Sequence, residues 1–304
     1  MATSVYAQGS DVQRGTMIAS LHGVIGSADV ADVEQWLAHL CSSEPDRLSA
    51  AAIVVAHPDD ETIGAGSRLP RLRGATLVHV TDGSPRNPSD ARAAGFDSRE
   101  AYSNARREEL AAVMELAGIP RAQAWELGVI DQDAPMQMPA IARRLAEMFE
   151  EIRPEVVLTH PYEGGHPDHD ATAFSVHAAV ELLRNAGAPT PGIIEMASYH
   201  ARDDRMVVYE FLPAADREAR TVTLSSTERA FKQRLIDCYR SQRTVLAQFP
   251  VRLERYRVAP QYDFERAPHP GTLCYELFPW GMTGERFREL VVAARAELGL
   301  EGAR

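Results

Sequence analysis

Two short segments of the chain carry the residue types that bind a catalytic metal ion. The first reads Ala-His-Pro-Asp-Asp-Glu at 56–61, and the second reads His-Pro-Asp-His at 166–169. Imidazole nitrogens and carboxylate oxygens are zinc ligands, and a catalytic zinc site takes three protein ligands and leaves a position for water. His57, Asp60 and His169 can supply such a set. The sequence therefore predicts a divalent metal site built from both segments.

The stretches before these segments place them at one edge of a sheet. An apolar run at 51–56 precedes the first segment, and another at 155–159 precedes the second. Both are typical of buried parallel strands, whose carboxyl ends form the ligand-binding edge of open α/β sheets. Alternatively, a single His-Pro-Asp segment can mark a helix start capped by Asp59 or Asp60. Recurrence of the pattern after two strands favours the metal site.

The remaining pattern predicts one α/β domain over 51–304, preceded by an N-terminal extension, 1–50, with one helix. Strands alternate with helices, which favours a mostly parallel, Rossmann-like sheet with helices on both faces and added strands and helices at the C-terminal end. The predicted strands are 51–56, 75–81, 124–127, 155–159 and those within 193–224, and the predicted helices are 31–41, 99–117, 139–152, 171–185, 226–247 and 285–299.

Together the two segments resemble the paired motifs of the PIG-L/LmbE-like deacetylases, which include N-acetylglucosaminyl-phosphatidylinositol deacetylase and the mycothiol-pathway deacetylase. The resemblance runs from about residue 51 to 245 and follows the order of the family's motifs. It implies a Rossmann-like fold, a zinc ion (Zn2+) as cofactor and hydrolysis of an N-acyl bond. By matching position, it makes His57, Asp60 and His169 the zinc ligands and Asp59 the general base.

The chemistry of amide hydrolysis fits these positions. Zinc polarises an acyl carbonyl and lowers the pKa of a bound water to about 7. Asp59 is then placed to take the water's proton and later to protonate the leaving amine. We expect His166, as an imidazolium, to face the developing oxyanion, and Asp168 to orient His166 and raise its pKa.

Other stretches match the family less specifically. The segment 81–83 reads Thr-Asp-Gly, as after the family's second strand, and Arg106 opens an R-x-x-E-L stretch whose arginine contacts substrate in some members. Arg106 is therefore expected to bind substrate, and the alternative is an exposed helical Arg–Glu pair. Tyr239, Ser241 and Gln242 match an H-x-S-Q stretch with tyrosine in place of histidine. No role is carried over for that histidine.

Charge and composition exclude several classes of partner. The formal net charge of −11 disfavours nucleic acid and anionic membranes. No apolar stretch reaches the roughly 20 residues of a membrane helix, and the first residues do not read as a secretory signal, so a cytoplasmic protein is expected. Three cysteines, far apart, indicate neither a disulfide framework nor a thiolate metal site. The first strand is not followed by the glycine fingerprint of a nicotinamide cofactor.

The resemblance favours a zinc-dependent hydrolase that removes an acetyl or other small acyl group from the amine of an N-acetylated amino sugar or sugar conjugate. The substrate is expected to be a small molecule held by the loops 83–104, 128–138 and 192–220; no oligomeric state is assigned. The rival hypotheses are an amidase acting on a natural-product or thiol conjugate, a non-catalytic metal- or sugar-binding protein, and a Rossmann-type nucleotide-binding protein. The C-terminal aromatic residues are expected to belong to the core: Tyr262, Phe264, Tyr275, Phe278 and Trp280.

Overall fold

The structure is a computed structural model that describes residues 29–44, 48 and 50–301. Most of residues 1–50 therefore lie outside the described part, apart from the predicted helix. The strands are β1 (Ala51–Val55), β2 (Thr76–Pro85), β3 (Ala124–Asp131), β4 (Val156–Thr159), β5 (Gly192–Met196), β6 (Tyr199–Arg202), β7 (Arg205–Val208), β8 (Arg220–Thr223) and β9 (Leu253–Val258).

The main sheet has the order β3-β2-β1-β4-β5-β9-β8. The strands β1 to β5 pair in parallel, whereas β9 pairs antiparallel with both β5 and β8. The strands β6 and β7 form a separate antiparallel hairpin. Because parallel strands end at the same edge, the segments that follow β1, β2, β3 and β4 meet there. The predicted mostly parallel α/β sheet is confirmed.

Helices cover both faces of this sheet. They are α1 (Val30–Cys41), α2 (Asp60–Ala65), α3 (Ser89–Ala93), α4 (Arg99–Ala117), α5 (Met138–Ile152), α6 (Pro167–Asn185), α7 (Ser226–Ile236), α8 (Arg243–Leu246) and α9 (Gly284–Leu298). The strand β1 shows how the two layers arise: Ile53 and Val55 join a core with α1, α4 and α7, while Ala52 and Val54 join a core with α5, α6 and α9. Alternate side chains of a strand point to opposite faces, so both faces of β1 are buried.

The structure differs from the prediction in three elements. The helix predicted over 226–247 is broken into α7, a 3-10 turn at Arg240–Gln242 and α8. The strand β9 was not predicted, because Glu254 and Arg257 interrupt its apolar pattern although both are buried. The helix α6 begins at Pro167 rather than 171, because proline suits the first turn of a helix and the His166 side chain accepts the Asp168 N–H there. Two of these differences bear on the site, because α6 carries His169 and α8 carries Val245, and both residues line the cavity described below.

Within the described residues, no helix combines the length and the apolar character needed to cross a bilayer.

Candidate metal centre

The segment after β1 makes a sharp turn at Asp59. This residue has φ 136° and ψ −25°, a backbone conformation that residues with side chains rarely adopt. The buried Glu61 carboxylate accepts the Asp59 N–H at 3.0 Å, and the Asp59 carbonyl accepts the N–H groups of Thr62 and Ile63 at 2.9 Å each. Such a conformation costs about 1–3 kcal/mol and persists only where surrounding bonds hold it. Asp59 and Asp60 thus line the same cavity.

Three buried side chains form a set that can hold a metal ion: His57, Asp60 and His169. The Asp60 carboxylate lies between the two imidazoles, with Oδ2 3.3 Å from His57 Nδ1 and Oδ1 3.2 Å from His169 Nε2. One ligand atom from each residue lies within 4.8 Å of the other two. Two nitrogens and one carboxylate oxygen suit zinc and leave a position open. The structure thus brings the three predicted ligands together.

The charges around this set favour a cation. Burial alone lowers the pKa of His57, but the carboxylates of Asp131, Asp168 and Asp60 outweigh it and hold that pKa well above its usual value. Burial alone raises the pKa of Asp60, but His169 and His160 bring it well below its usual range. Asp60 is therefore a carboxylate at neutral pH. The surrounding carboxylates favour positive charge at this point. They stabilise the protonated form of His57, and for the same reason they suit a bound divalent cation.

Side chains behind the ligands fix their orientation. Asp168 Oδ2 lies 3.2 Å from His57 Nε2 and also accepts the Gln132 N–H at 2.6 Å. Asp131 Oδ1 lies 3.4 Å from the same His57 nitrogen. A carboxylate on the far nitrogen of a ligating histidine sets the tautomer and the ring orientation. With His166, these residues also form a second group able to hold a metal: His57, Asp131, His166 and Asp168.

His160, at the end of β4, also supports a ligand. Its Nε2 accepts the Ala56 N–H at 3.0 Å and lies 3.3 Å from Asp60 Oδ2. Its ring stacks on His169 at 3.9 Å. Burial, together with the neighbouring His169, lowers the pKa of His160 to about 4. His160 is therefore neutral at pH 7, and its ring packs against the ring of the candidate ligand His169.

The expectation that Asp168 orients His166 and raises its pKa is wrong. The Asp168 carboxylate bonds to His57 and to the N–H groups of Gln132 and Ala134, and it lies 4.0 Å from His166 Nδ1. Burial, together with the charge of His57, lowers the pKa of His166 well below its usual value. His166 Nδ1 accepts the Asp168 N–H at 3.1 Å. The proton of the neutral ring is therefore on Nε2, so His166 is a neutral hydrogen-bond donor rather than an imidazolium.

Arg106 binds the candidate base. Its Nη2 donates to Asp59 Oδ2 at 2.9 Å and to the Pro58 carbonyl at 2.7 Å, and its Nη1 donates to the Gly83 carbonyl at 2.6 Å. Burial raises the pKa of Asp59 to about 8, even though the Arg106 charge lowers it. The side chain is buried, which contradicts the alternative of an exposed Arg–Glu pair. Arg106 lines the cavity, but it is engaged by the protein rather than left free for substrate.

Gly83 is required for this position of Arg106. It has φ +62°, and a Cβ built on it would lie 2.5 Å from Arg106 Cζ. A side chain at this position would displace the guanidinium. The Thr-Asp-Gly segment thus contributes a surface against which Arg106 packs.

A buried hydrogen-bond network centred on Glu61 stabilises the strained turn at Asp59. Glu61 accepts hydrogen bonds from Asp59 N–H, from Thr62 Oγ1 at 2.6 Å and from Tyr239 Oη at 2.6 Å, and it lies 3.2 Å from His79 Nε2. Tyr239 is the tyrosine that stands where the family's stretch has histidine. Its hydroxyl connects the C-terminal part of the chain to the turn that carries Asp59.

The ligand set opens into a cavity of about 210 Å³. Sequence reasoning missed several of its residues. Asp131 ends β3, and a polar residue at the carboxyl end of a parallel strand is the signal that would have found it. Phe278 and Trp280 were expected in the core but line the cavity, whereas Phe264 and Tyr275 are buried as predicted.

Comparisons with known proteins agree with this architecture. Residues 52–180 match the PIG-L family model, described as GlcNAc-PI de-N-acetylase. The chain is 32% identical over 200 residues to 1D-myo-inositol 2-acetamido-2-deoxy-alpha-D-glucopyranoside deacetylase of Kineococcus radiotolerans, covering 53% of this chain and 55% of that protein. It is 30% identical over 142 residues to the probable N-acetyl-alpha-D-glucosaminyl L-malate deacetylase 2 of Bacillus cereus, covering 45% and 63%. The chain thus spans little more than half the length of these curated relatives.

Solved structures share the fold. A triple mutant of the deacetylase Orf2 from the teicoplanin biosynthetic pathway superposes with a TM-score of 0.53 at 16% identity, covering 71% of this chain and 100% of that one. The A40926 pseudoaglycone deacetylase Dbv21 gives 0.51 at 19% identity, covering 71% and 99%. These structures show the fold, and the match of residues 52–180 to the PIG-L family model confirms the predicted resemblance over that part of the chain.

Proposed function

We propose that this chain is a zinc-dependent N-deacetylase that hydrolyses the acetamide of an N-acetylated amino sugar or sugar conjugate. The observation that carries the proposal is the position of Asp59. Its carboxylate lies beside the set His57, Asp60 and His169, is not needed to complete that set, and is held by Arg106 at 2.9 Å. A protein that only binds a metal has no need of a further buried carboxylate, held on a strained backbone turn, beside the ligand set.

The substrate class is supported by the relatives. The Kineococcus relative is named as a deacetylase of an acetamido-glucopyranoside, and the Bacillus relative as a probable deacetylase of an N-acetyl-glucosaminyl conjugate. The cavity is large enough for the acetamide and part of a sugar ring. We propose a small N-acetylated amino-sugar compound as the partner of this site.

The chain's own residues supply the proton transfers. Zinc, when bound by His57, Asp60 and His169, acts as a Lewis acid that polarises the acyl carbonyl and acidifies water. Arg106 occupies Oδ2 of Asp59, so Oδ1 is left to accept a proton from the attacking water and to return it to the leaving amine nitrogen. Arg106 also stabilises the carboxylate form that a base requires.

His166 is suited to the oxyanion. Its Nδ1 is occupied by the Asp168 N–H, so the Nε2–H remains as a donor in a residue that lines the cavity. A neutral donor stabilises the negative charge that develops on the acyl oxygen without needing a proton from solvent. Asp168, bonded to His57, positions a metal ligand instead of taking part in proton transfer.

The test is acetate release from a panel of N-acetylated amino sugars and their glycosides, using metal-free protein reloaded with zinc. Asp59→Asn is the informative variant, and Asp263→Asn, at an exposed residue paired with Arg266, is the matched control. We expect zinc-dependent release that Asp59→Asn abolishes while it still binds zinc. Zinc binding with no release from any compound would favour an amidase with another acyl substrate or a non-catalytic binding protein. Failure to bind metal would overturn the proposal.

A further inference from the structure

The charged groups around the cavity define what the substrate can carry. Four carboxylates line it: Asp59, Asp60, Asp90 and Asp131. Among the described lining residues Arg106 is the one arginine or lysine, and its terminal nitrogens are bonded to Asp59, Pro58 and Gly83. Its Nε–H has no partner but is buried, so the guanidinium does not present the paired free donors that bind a phosphate or a carboxylate.

Two arginines of the loop 83–104 are paired with carboxylates of the protein. Arg86 is bonded to Asp133 at 2.6 Å, and Arg99 is paired with Asp82. Both guanidinium groups are committed to carboxylates of the protein. Among the described residues that line the cavity, an anionic substituent on the substrate would therefore meet carboxylates without a free cation to bind it.

Apart from its histidines, its charged groups and three glutamines (Gln132, Gln242 and Gln248), the lining of the cavity is apolar. Seven side chains of its lining are hydrophobic or aromatic: Ile63, Tyr199, Met206, Val245, Phe249, Phe278 and Trp280. Two of them remain accessible, with Val245 48% and Phe278 43% exposed. Large apolar side chains that stay exposed beside a polar site mark a surface that a ligand covers.

The aromatic residues lead outward from the catalytic end. The Trp280 ring lies 4.5 Å from the His166 ring, and Phe278 stacks on Trp280 at 4.5 Å with their planes 16° apart. His166 is buried, whereas Phe278 is exposed. A substrate whose acetamide lies at His166 therefore meets first the indole and then the phenyl ring. Flat aromatic faces bind the C–H faces of sugars and other rings.

We propose that the substrate is an uncharged N-acetylated amino sugar with an apolar or aromatic substituent, and that Trp280, Phe278 and Val245 select it. This proposal rests on the proposed deacetylase function. It separates this chain from a deacetylase of an anionic conjugate, because a carboxylate in place of the apolar group would find no free arginine or lysine among the described residues that line the cavity.

The test compares acetate release from three β-glycosides of N-acetylglucosamine: the phenyl, methyl and carboxymethyl compounds. We expect kcat/KM to fall in that order. Phe278→Ala should lower the value for the phenyl glycoside roughly threefold to tenfold, the effect of one aromatic contact, and leave the methyl glycoside nearly unchanged. Leu277→Ala is the matched control, since Leu277 is 42% exposed next to Phe278 but does not line the cavity.

A binding measurement makes the result independent of turnover. Calorimetry with phenyl β-glucoside, which has no acetamide, should show binding to the wild type that Phe278→Ala weakens and Leu277→Ala does not. Acetate release without preference for the phenyl glycoside, or with preference for the carboxymethyl one, would overturn this inference and leave the proposed function intact. No release from any glycoside would overturn the proposed function, and absence of phenyl β-glucoside binding would overturn the apolar subsite.

Discussion

The Arg106 guanidinium donates to Asp59 Oδ2 at 2.9 Å, and both side chains are buried. This ion pair joins the middle of α4 to the turn after β1, and it determines the protonation of the candidate base. Burial favours the protonated form of Asp59, while the arginine favours the carboxylate. A general base must be in the carboxylate form, so the proposed reaction depends on Arg106 as well as on Asp59.

Arg106→Gln is expected to shift activity to higher pH. Removing the positive charge removes what lowers the pKa of Asp59, so that pKa rises and less carboxylate is present at pH 7. The acid limb of the profile of kcat/KM against pH should move to higher pH. Loss of the arginine also leaves Asp59 buried without its partner, which should lower the free energy of unfolding by about 3–5 kcal/mol. Arg107→Gln, at an exposed pair with Glu126, is the control. An unchanged pH profile would contradict the assigned role of Arg106.

Gly83→Ala is expected to lower activity more than its backbone strain explains. The new Cβ would lie 2.5 Å from Arg106 Cζ and push the guanidinium away from Asp59. Gly187→Ala is the matched control, since Gly187 also has positive φ (+69°) but has no atom within 4 Å of an added Cβ. Both variants should lose stability, by roughly 1 kcal/mol or more in thermal unfolding. Only Gly83→Ala should lose kcat; equal kcat in both would show that Arg106 adapts.

Tyr239→Phe is expected to impair turnover as well as stability. It removes the hydroxyl that donates to Glu61 at 2.6 Å, and Glu61 in turn holds the Asp59 N–H. Tyr256→Phe removes a comparable buried bond to Glu254 at 2.8 Å, away from this turn. Each should cost about 1–3 kcal/mol in urea unfolding. A drop in kcat confined to Tyr239→Phe would establish that Glu61 positions the base, whereas equal kcat in the two variants would not fit this role.

Metal analysis should find one zinc per chain, and His169→Ala should lose it. The two groups able to hold a metal share His57, so the question is whether the group with Asp131 and Asp168 binds a second ion. Asp168 already bonds to His57 and to two backbone N–H groups, which favours an orienting role. Asp131→Asn should therefore keep one zinc, with weaker affinity. A stoichiometry of two that Asp131→Asn reduces to one would show a second site.

We expect the protonation of His177 to contribute to the pH dependence of the free energy of unfolding. Burial lowers the pKa of His177 to about 4, and the charge of Arg184 adds to this effect. A histidine with a depressed folded-state pKa takes its proton more readily when unfolded, so stability falls as pH decreases from about 6.5 towards 4. Between pH 7 and 5 this group should cost roughly 1–2 kcal/mol. Urea unfolding of His177→Leu should show a smaller loss over that interval than the wild type; an equal loss would contradict this account.

Local signals explain which elements the sequence predicted well. The helix α4 was predicted as 99–117, and its ends are fixed by the Ser98 side chain, which accepts the Ala101 N–H, and by Gly118 at φ 71°. Both signals lie within a few residues of the ends they set. The metal-ligand candidates were likewise found from two short segments.

Long-range contacts explain what was missed. The strand β9 depends on Glu254 pairing with Lys232 at 2.9 Å and on Arg257 pairing with Glu195, so its polar residues are buried in pairs that local pattern cannot reveal. The helix predicted over 226–247 breaks where Tyr239 reaches Glu61. The role of Arg106 was also invisible, since its partners Asp59 and Gly83 lie 47 and 23 residues away.

The cavity is assembled from two stretches of the chain with different tasks. The residues proposed to bind the metal and to transfer protons all lie within 52–180, the part that matches the family model, whereas the apolar wall from Tyr199 to Trp280 lies beyond it. We therefore expect mutations in this apolar wall to alter which substituent is accepted without replacing a metal-binding or proton-transferring residue. Exchange of the wall residues between relatives, with Tyr239 and its bond to Glu61 kept, offers a direct route to new substrate preferences.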